Sequence, residues 1–300
     1  MTDTLPTRKS MTRKAISVAW PAVMESFFVV LAGMIDTMMV AELGPYAVAA
    51  TGLTAQPKFI GLTVFFGVNI AVSALVARRK GEKNQADANE ITLTALWLTV
   101  GLCIILTVLF VVFTPQMMHL AGSNEDTHEA AVEYFRIIMG GMFFNVITMV
   151  INAAQRGSGN TRLSMSTNLV SSVVNIIFNW LLIKGRFGFP AWGIRGAAIA
   201  TVLGTVVSAG MAVFSLFRRS SYVRIPLMIN LKLRFTKHAV RSIWNLALSS
   251  TIENLAMRIG FLATALIAAR LGTDEFAAHN IGMNLLGLGF SFADGMQVAS

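Results

Sequence analysis

The chain has 300 residues, of which 55% are hydrophobic and 13% charged, with a mean hydropathy of +0.64 and a formal net charge of +9. Soluble domains carry about 25% charged residues, so this composition excludes an ordinary soluble domain and indicates an all-α membrane protein with several spans. The basic residues lie in loops between long apolar runs, which argues against a nucleic-acid partner.

The apolar runs predict the membrane spans, because a helix needs about 20 such residues to cross the bilayer core. Eight runs of this kind occur, at 15–41, 54–77, 91–114, 132–155, 163–184, 194–217, 242–269 and 277–300. The first is too long for the apolar part of a cleaved signal peptide, so we expect it to remain as helix one. Pro21 either kinks that helix or lies in its first turn, where proline is tolerated, and we favour the first turn.

Lysine and arginine in the loops predict the orientation of these spans. Seventeen of them fall in the N-terminal arm and the loops after spans two, four and six, against four in the loops on the other side. The N-terminus is therefore predicted to be cytoplasmic, in a multi-pass protein of the inner (plasma) membrane.

An internal repeat aligns 13–72 with 241–300 without a gap. Matched pairs include Leu43 with Leu271, Gly44 with Gly272, Gly61 with Gly289, and Glu25 with Glu253. A six-helix unit repeated in parallel predicts about twelve spans, so we expect this chain to be part of a longer protein. The predicted units are a cytoplasmic arm (1–14), an N-terminal six-helix lobe (15–217), a basic cytoplasmic linker (218–241) and the incomplete start of a C-terminal lobe with helices seven and eight (242–300).

Three segments carry a resemblance to a known family. They are Gly33–Val40 followed by Leu43-Gly44 in the first helix, Ala153–Arg162 in the fourth–fifth loop, and Gly196–Thr201 at the start of the sixth helix. In these segments, and over essentially its whole length, the sequence resembles the multidrug and toxic compound extrusion (MATE) transporters. The resemblance implies two six-helix lobes that form a V around a central cavity, and exchange of H⁺ or Na⁺ for organic cations or other amphipathic drugs.

The resemblance also implies a coupling-ion site in the N-terminal lobe. An acid on helix one and polar partners on helices five and six match Asp36, Asn175, Asn179 and Thr201 in this sequence. One branch of the family has an aspartate at the position of Asn179, so the sequence departs from that branch. Glu253 on helix seven matches an acid that another branch uses in the second lobe.

The cost of charge in a bilayer points to the same residues, because a mid-membrane carboxylate costs about 2.5–3.5 kcal/mol on insertion scales. Asp36 has no basic neighbour at helical spacing, and either carries the coupling ion or lies at the outer headgroup level. Asn175 and Asn179 share a helix face, where their amides either converge on one ion or bond neighbouring helices. No metal is predicted apart from Na⁺ at Asp36.

Three further acids fall in or near spans. Glu253 either serves the second lobe or pairs with Arg258 five residues later. Glu25 is a weaker candidate for the cavity, with an interfacial or hinge position as the alternative. Asp294 on helix eight is a second weak candidate for the cavity lining.

The sequence favours secondary transport over two alternatives. A flippase for a lipid-linked precursor needs several cavity-facing arginines, and only Arg136 and Arg258 qualify. A membrane-embedded enzyme is disfavoured because no catalytic motif falls in the spans, and no P-loop for ATP occurs.

The single cysteine and the scattered histidines exclude a disulfide framework and a zinc cluster. We expect a monomer with no cofactor besides the coupling ion, in contact with lipid and with amphipathic or cationic substrates.

Overall fold

The computed structural model describes residues 8–123, 125–219 and 221–271, together with Gly282, Leu286 and Gly289. These residues are helical or lie in short connections, and no strand occurs among them. The helices are α1 (Arg8–Ala41), α2 (Pro45–Gly81), α3 (Gln85–Val112), α4 (Thr114–Leu120), α5 (Glu125–Gly140), α6 (Met142–Gly157), α7 (Thr161–Leu182), α8 (Gly193–Ser215), α9 (Ile225–Asn230) and α10 (Lys237–Leu271), with a 3₁₀ turn at Arg186–Gly188.

Several of these helices are long and apolar enough to cross a membrane. Five segments of the described chain qualify: Val23–Ala41 of α1 and the whole of α2, α3, α7 and α8. The pair α5 and α6 also qualifies when it is taken as one span. The prediction of an all-α polytopic membrane protein is therefore confirmed, with predicted spans one to six in place.

The fourth predicted span differs from expectation because it is not one straight helix. The chain bends by 46° between α5 and α6. Gly140 and Gly141 lie at the bend, and glycine pairs are common sites of helix kinks. A Cβ on Gly141 would lie 2.4 Å from the side chain of Val202 on α8, so the bend also lets α8 pack closely.

The position favoured for Pro21 was wrong. Pro21 lies inside α1, which begins at Arg8, because the basic arm before the first apolar run is itself helical. The seventh predicted span, 242–269, falls within α10, which is one continuous helix from Lys237 to Leu271. Most of the eighth predicted span, 277–300, lies outside the described residues.

The packing of α7 positions the candidate site. It lies between α1 on one side and α8 on the other, while α10 packs mainly against α2. Small residues let these helices approach, as expected where association depends on close packing rather than on expulsion of water. At Gly204 of α8, an added Cβ would lie 2.6 Å from the backbone oxygen of Ser171 on α7.

Candidate ion-binding site

Asp36 lies in the last quarter of α1 and faces α7. Its Oδ1 accepts a hydrogen bond from Nδ2 of Asn179 at 2.5 Å. Asn179 is fully buried, whereas Asp36 is partly buried. The structure thus places the predicted acid against one of its predicted amide partners.

The contacts continue from α7 to α8. Asn179 Nδ2 lies 3.4 Å from Oδ1 of Asn175, and Asn175 Nδ2 donates to Oγ1 of Thr201 at 3.0 Å. The two asparagines converge because residues four apart share a helix face. The four residues expected from the resemblance, Asp36, Asn175, Asn179 and Thr201, therefore form one continuous hydrogen-bonded chain across three helices.

Two neighbours of this cluster were not among the predicted site residues. The Tyr134 side chain on α5 is buried and hydrogen-bonds Thr201. Lys58 on α2 interacts electrostatically with Asp36 but forms no ion pair with any described residue. No sequence signal distinguishes Tyr134 from other tyrosines, whereas Lys58 stands out as a basic residue within an apolar run.

The chemistry of the cluster fits a hard cation. Oδ1 of Asn179 is buried and has no hydrogen-bond partner among the described residues. A carboxylate with amide and hydroxyl oxygens is a suitable donor set for Na⁺, and its carboxylate can instead take a proton. No group of three or more potential His, Cys, Asp or Glu ligands occurs in the part of the chain described.

Glu25 is not part of this cluster. It lies 11 residues earlier on α1, about three helical turns away. Its Oε1 accepts hydrogen bonds from Oγ of Ser164 at 2.9 Å and Nδ2 of Asn168 at 2.5 Å. Arg156, at the end of α6, forms an ion pair with the same oxygen at 3.5 Å. Arg156 falls within Ala153–Arg162, which was predicted to form the fourth–fifth loop, so this pairing was missed.

The second-lobe candidate remains separate from both clusters. Glu253 is exposed on α10 and forms no ion pair with the described residues, so the alternative of a pair with Arg258 is not seen. The Arg258 guanidinium instead stacks over the ring of Phe59 on α2, with its Cζ 4.5 Å from the ring centroid. Asp294 lies outside the described residues.

Fold and site together define a polytopic α-helical membrane protein with a buried acid–amide cluster. The MatE family model matches residues 21–181 of this chain. The probable multidrug resistance protein NorM of Thermotoga maritima is 28% identical over 287 residues, which cover 96% of this chain and 61% of that protein. A protein of the same description from Pseudomonas putida is 28% identical over 288 residues, which cover 95% of this chain and 61% of that protein.

Solved structures show the same relationship. A MOP superfamily transporter from Pyrococcus furiosus matches with a TM-score of 0.86 at 26% identity, covering 96% of this chain and 63% of that one. The same values hold for the outward-facing conformation of a multidrug resistance MATE family transporter. The chain therefore belongs to the MatE family, and the predicted resemblance is confirmed. It spans about three-fifths of the length of the curated relatives it matches.

Proposed function

We propose that this chain is the N-terminal part of a secondary antiporter that exports organic cations or amphipathic drugs in exchange for H⁺ or Na⁺. The observation that carries the proposal is the hydrogen-bonded chain from Asp36 through Asn179 and Asn175 to Thr201. The multidrug resistance relatives support drugs as substrates. No catalytic group or cofactor is needed for this activity.

Coupling follows from the cost of an isolated charge. Burial disfavours a bare carboxylate, so Asp36 is most stable when it holds a proton or a cation. The amides of Asn175 and Asn179 supply neutral oxygens and bring no rival permanent charge. Half a turn of the Asn179 amide exchanges its nitrogen and oxygen, so the same side chain can donate to an empty carboxylate or coordinate a bound ion.

Exchange then requires that ion and substrate compete. A bound ion removes the charge of Asp36 and changes how α1 packs on α7, which disfavours a cationic substrate nearby. If the transporter is unable to reorient its cavity across the membrane while the Asp36 site is empty and charged, it must carry either the ion or the substrate each time it reorients. The N-terminus is cytoplasmic in this proposal, and the transporter acts as a monomer in the plasma membrane.

The test is substrate transport in everted membrane vesicles that contain the complete transporter. Uptake of a fluorescent organic cation such as ethidium is measured with an imposed ΔpH or an imposed Na⁺ gradient, each alone. Asp36→Asn keeps the shape and hydrogen bonding of the side chain but does not ionise, so it should abolish gradient-driven uptake. The gradient that drives the wild type identifies the coupling ion.

The matched control is Glu42→Gln, which neutralises an exposed acid six residues after Asp36 and should leave uptake unchanged. If Asp36→Asn transports at the wild-type rate with the same ion dependence, Asp36 is not the coupling residue and Glu253 becomes the next candidate. If neither gradient drives uptake in the wild type while lipid-linked precursors are translocated, the flippase alternative replaces the proposal.

A further inference from the structure

Glu25 and Asp36 on α1 each accept a hydrogen bond from an asparagine on α7, and the two contacts have the same spacing along the chain. Asn168 donates to Glu25 and Asn179 donates to Asp36, and each pair is separated by 143 residues. The two acids are 11 residues apart on α1, and the two amides are 11 residues apart on α7. Because both contacts advance together along the chain, α1 and α7 run in the same direction, and the acid–amide contact recurs after about three turns.

The second polar partner on α7 follows the same spacing. Ser164 precedes Asn168 by four residues, as Asn175 precedes Asn179. Oγ of Ser164 donates to Oε1 of Glu25 at 2.9 Å. The Glu25 cluster, defined as Glu25, Ser164, Asn168, Arg156 and Asn69, therefore has the same kinds of oxygen and amide groups as the site at Asp36.

The Glu25 cluster contains a cation that is hydrogen-bonded to its acid, whereas no basic side chain among the described residues forms an ion pair with Asp36. Arg156 inserts its guanidinium between α1, α2 and α7. Nη1 lies 3.5 Å from Oε1 of Glu25 and 3.1 Å from Oγ of Ser164, and Nη2 lies 3.3 Å from Oδ1 of Asn69. Among the described side chains, Arg156 is the only charged group that hydrogen-bonds or pairs with Glu25.

Close packing fixes this arginine in place. At the next residue, Gly157, an added Cβ would lie 2.3 Å from the backbone oxygen of Ser73, so α6 and α2 touch through their backbones. The Arg156 and Glu25 side chains are 18% and 10% exposed. Leaving either charge unpaired at such a position is costly, so neither group is expected to leave the other during transport.

We propose that Arg156 is a built-in cation that permanently fills a second acid–amide site between α1 and α7. Because the Glu25 cluster is always loaded, it exchanges no coupling ion and fixes α1 to α7 near the start of α7. Ion exchange is thereby confined to the cluster at Asp36. Arg156 is a positioning residue, and the inference rests on the proposed function only in using Asp36 as the exchanging site for comparison.

Removing the built-in cation should turn the Glu25 cluster into a second exchanging site. The complete transporter is purified in detergent, and bound ions per molecule are measured by Na⁺ titration calorimetry and by proton uptake after a pH step. Asp36→Asn should bind one ion fewer than the wild type. Adding Arg156→Gln should restore one ion, and adding Glu25→Gln to both should remove it again.

Two controls separate this effect from loss of charge or of structure. Arg156→Lys keeps a cation at the site and should restore no ion to the Asp36→Asn variant. Arg162→Gln removes an exposed arginine near the start of α7 and should also restore none. An unchanged ion count on adding Arg156→Gln, or a gain that survives Glu25→Gln, would overturn the proposal.

A folding failure of Arg156→Gln still leaves a decisive measurement. Glu25→Gln alone should keep the wild-type ion count, since Glu25 exchanges no ion, and a loss of one ion would contradict the inference. These results are independent of the proposed function. The assignment of Asp36 as the coupling residue fails if Asp36→Asn binds as many ions as the wild type, whereas the inference is decided by the differences that Arg156 and Glu25 make.

Discussion

Asn179 donates to Asp36 at 2.5 Å through its amide nitrogen, while the oxygen of the same amide is buried and has no partner in the described part of the chain. Buried polar atoms are nearly always satisfied, and an exception requires an explanation. A cation between the Asp36 carboxylate and the amide oxygen would satisfy both groups. The relationship explains why a single side chain on α7 is central to the candidate site.

The two asparagines should therefore contribute unequally. Asn179→Ala removes the direct partner of Asp36 and should weaken binding of the coupling ion by about 10- to 100-fold, the range typical for groups that orient a ligand. Asn175→Ala leaves the Asp36 contact in place and should cost about tenfold or less. Ion-dependent transport, measured as the half-saturating ion concentration in vesicles, distinguishes the two. Equal effects, or a larger effect of Asn175→Ala, would contradict this order.

The helical composition of the fold and the first six spans followed from apolar run lengths alone. The bend at Gly141 was missed because the prediction used run length alone and gave no weight to the Gly140-Gly141 pair inside the run, although such pairs are common sites of kinks. The interior position of Pro21 was also missed. The basic arm before it was interpreted only as an orientation signal, although lysine and arginine are good helix formers.

Part of the candidate site was also predictable from the apolar runs, because polar residues inside them are conspicuous. Asp36 and the Asn175–Asn179 pair stand out because polar groups in apolar runs are costly. Arg156 did not stand out, because it lies at a helix end where arginine usually marks a loop. The equal separation of Glu25 from Asn168 and Asp36 from Asn179 was present in the sequence, but it becomes meaningful only once α1 and α7 are known to be adjacent and parallel.

The packing of α8 on α7 gives a stability prediction with its own control. Gly204→Ala places a Cβ 2.6 Å from the Ser171 backbone oxygen, whereas a Cβ at Gly210 on the same helix meets nothing within 4 Å. Overpacking typically costs about 1–3 kcal/mol, so Gly204→Ala should lower the melting temperature in detergent. Gly210→Ala should be neutral or slightly stabilising, since alanine favours helix. Equal melting temperatures for the two variants would show that α7 and α8 are less tightly packed.

The internal repeat predicts the arrangement of the second lobe. In a structure of the complete transporter, α1 and α10 should superpose by rotation about an axis normal to the membrane, with Glu25 over Glu253. The two helices should cross the membrane in the same direction. Cysteine labelling of Gly44→Cys and Gly272→Cys, two substitutions at matched positions of the repeat, offers a simpler check in intact cells. Labelling of the two sites from opposite sides would refute the parallel repeat.

A pH-dependent contact joins the segments that follow α1 and α7, beyond Asp36 and away from the Glu25 cluster. Oε2 of Glu42, in the turn after α1, lies 2.6 Å from Nζ of Lys184, which follows α7. The hydrogen bond and charge of Lys184 hold the pKa of Glu42 below its ordinary value. A carboxyl with a lowered pKa contributes its stabilisation above the unfolded-state pKa and loses it as the pH falls through the folded-state pKa. Both side chains are about half exposed, so the effect on overall stability is small.

Replacing the lysine should therefore change the titration of Glu42 and little else. In Lys184→Met, the pKa of Glu42 should rise toward that of an ordinary glutamate, and the Glu42 carboxyl should protonate at a higher pH than in the wild type. Carbon-13 NMR of the glutamate side chains measures this shift. Glu82 is the internal reference, because Arg79 and Arg78 hold its pKa low at the other end of the bundle and should continue to do so. If Glu42 titrates identically in both proteins, Lys184 does not hold the turn after α1 to the end of α7.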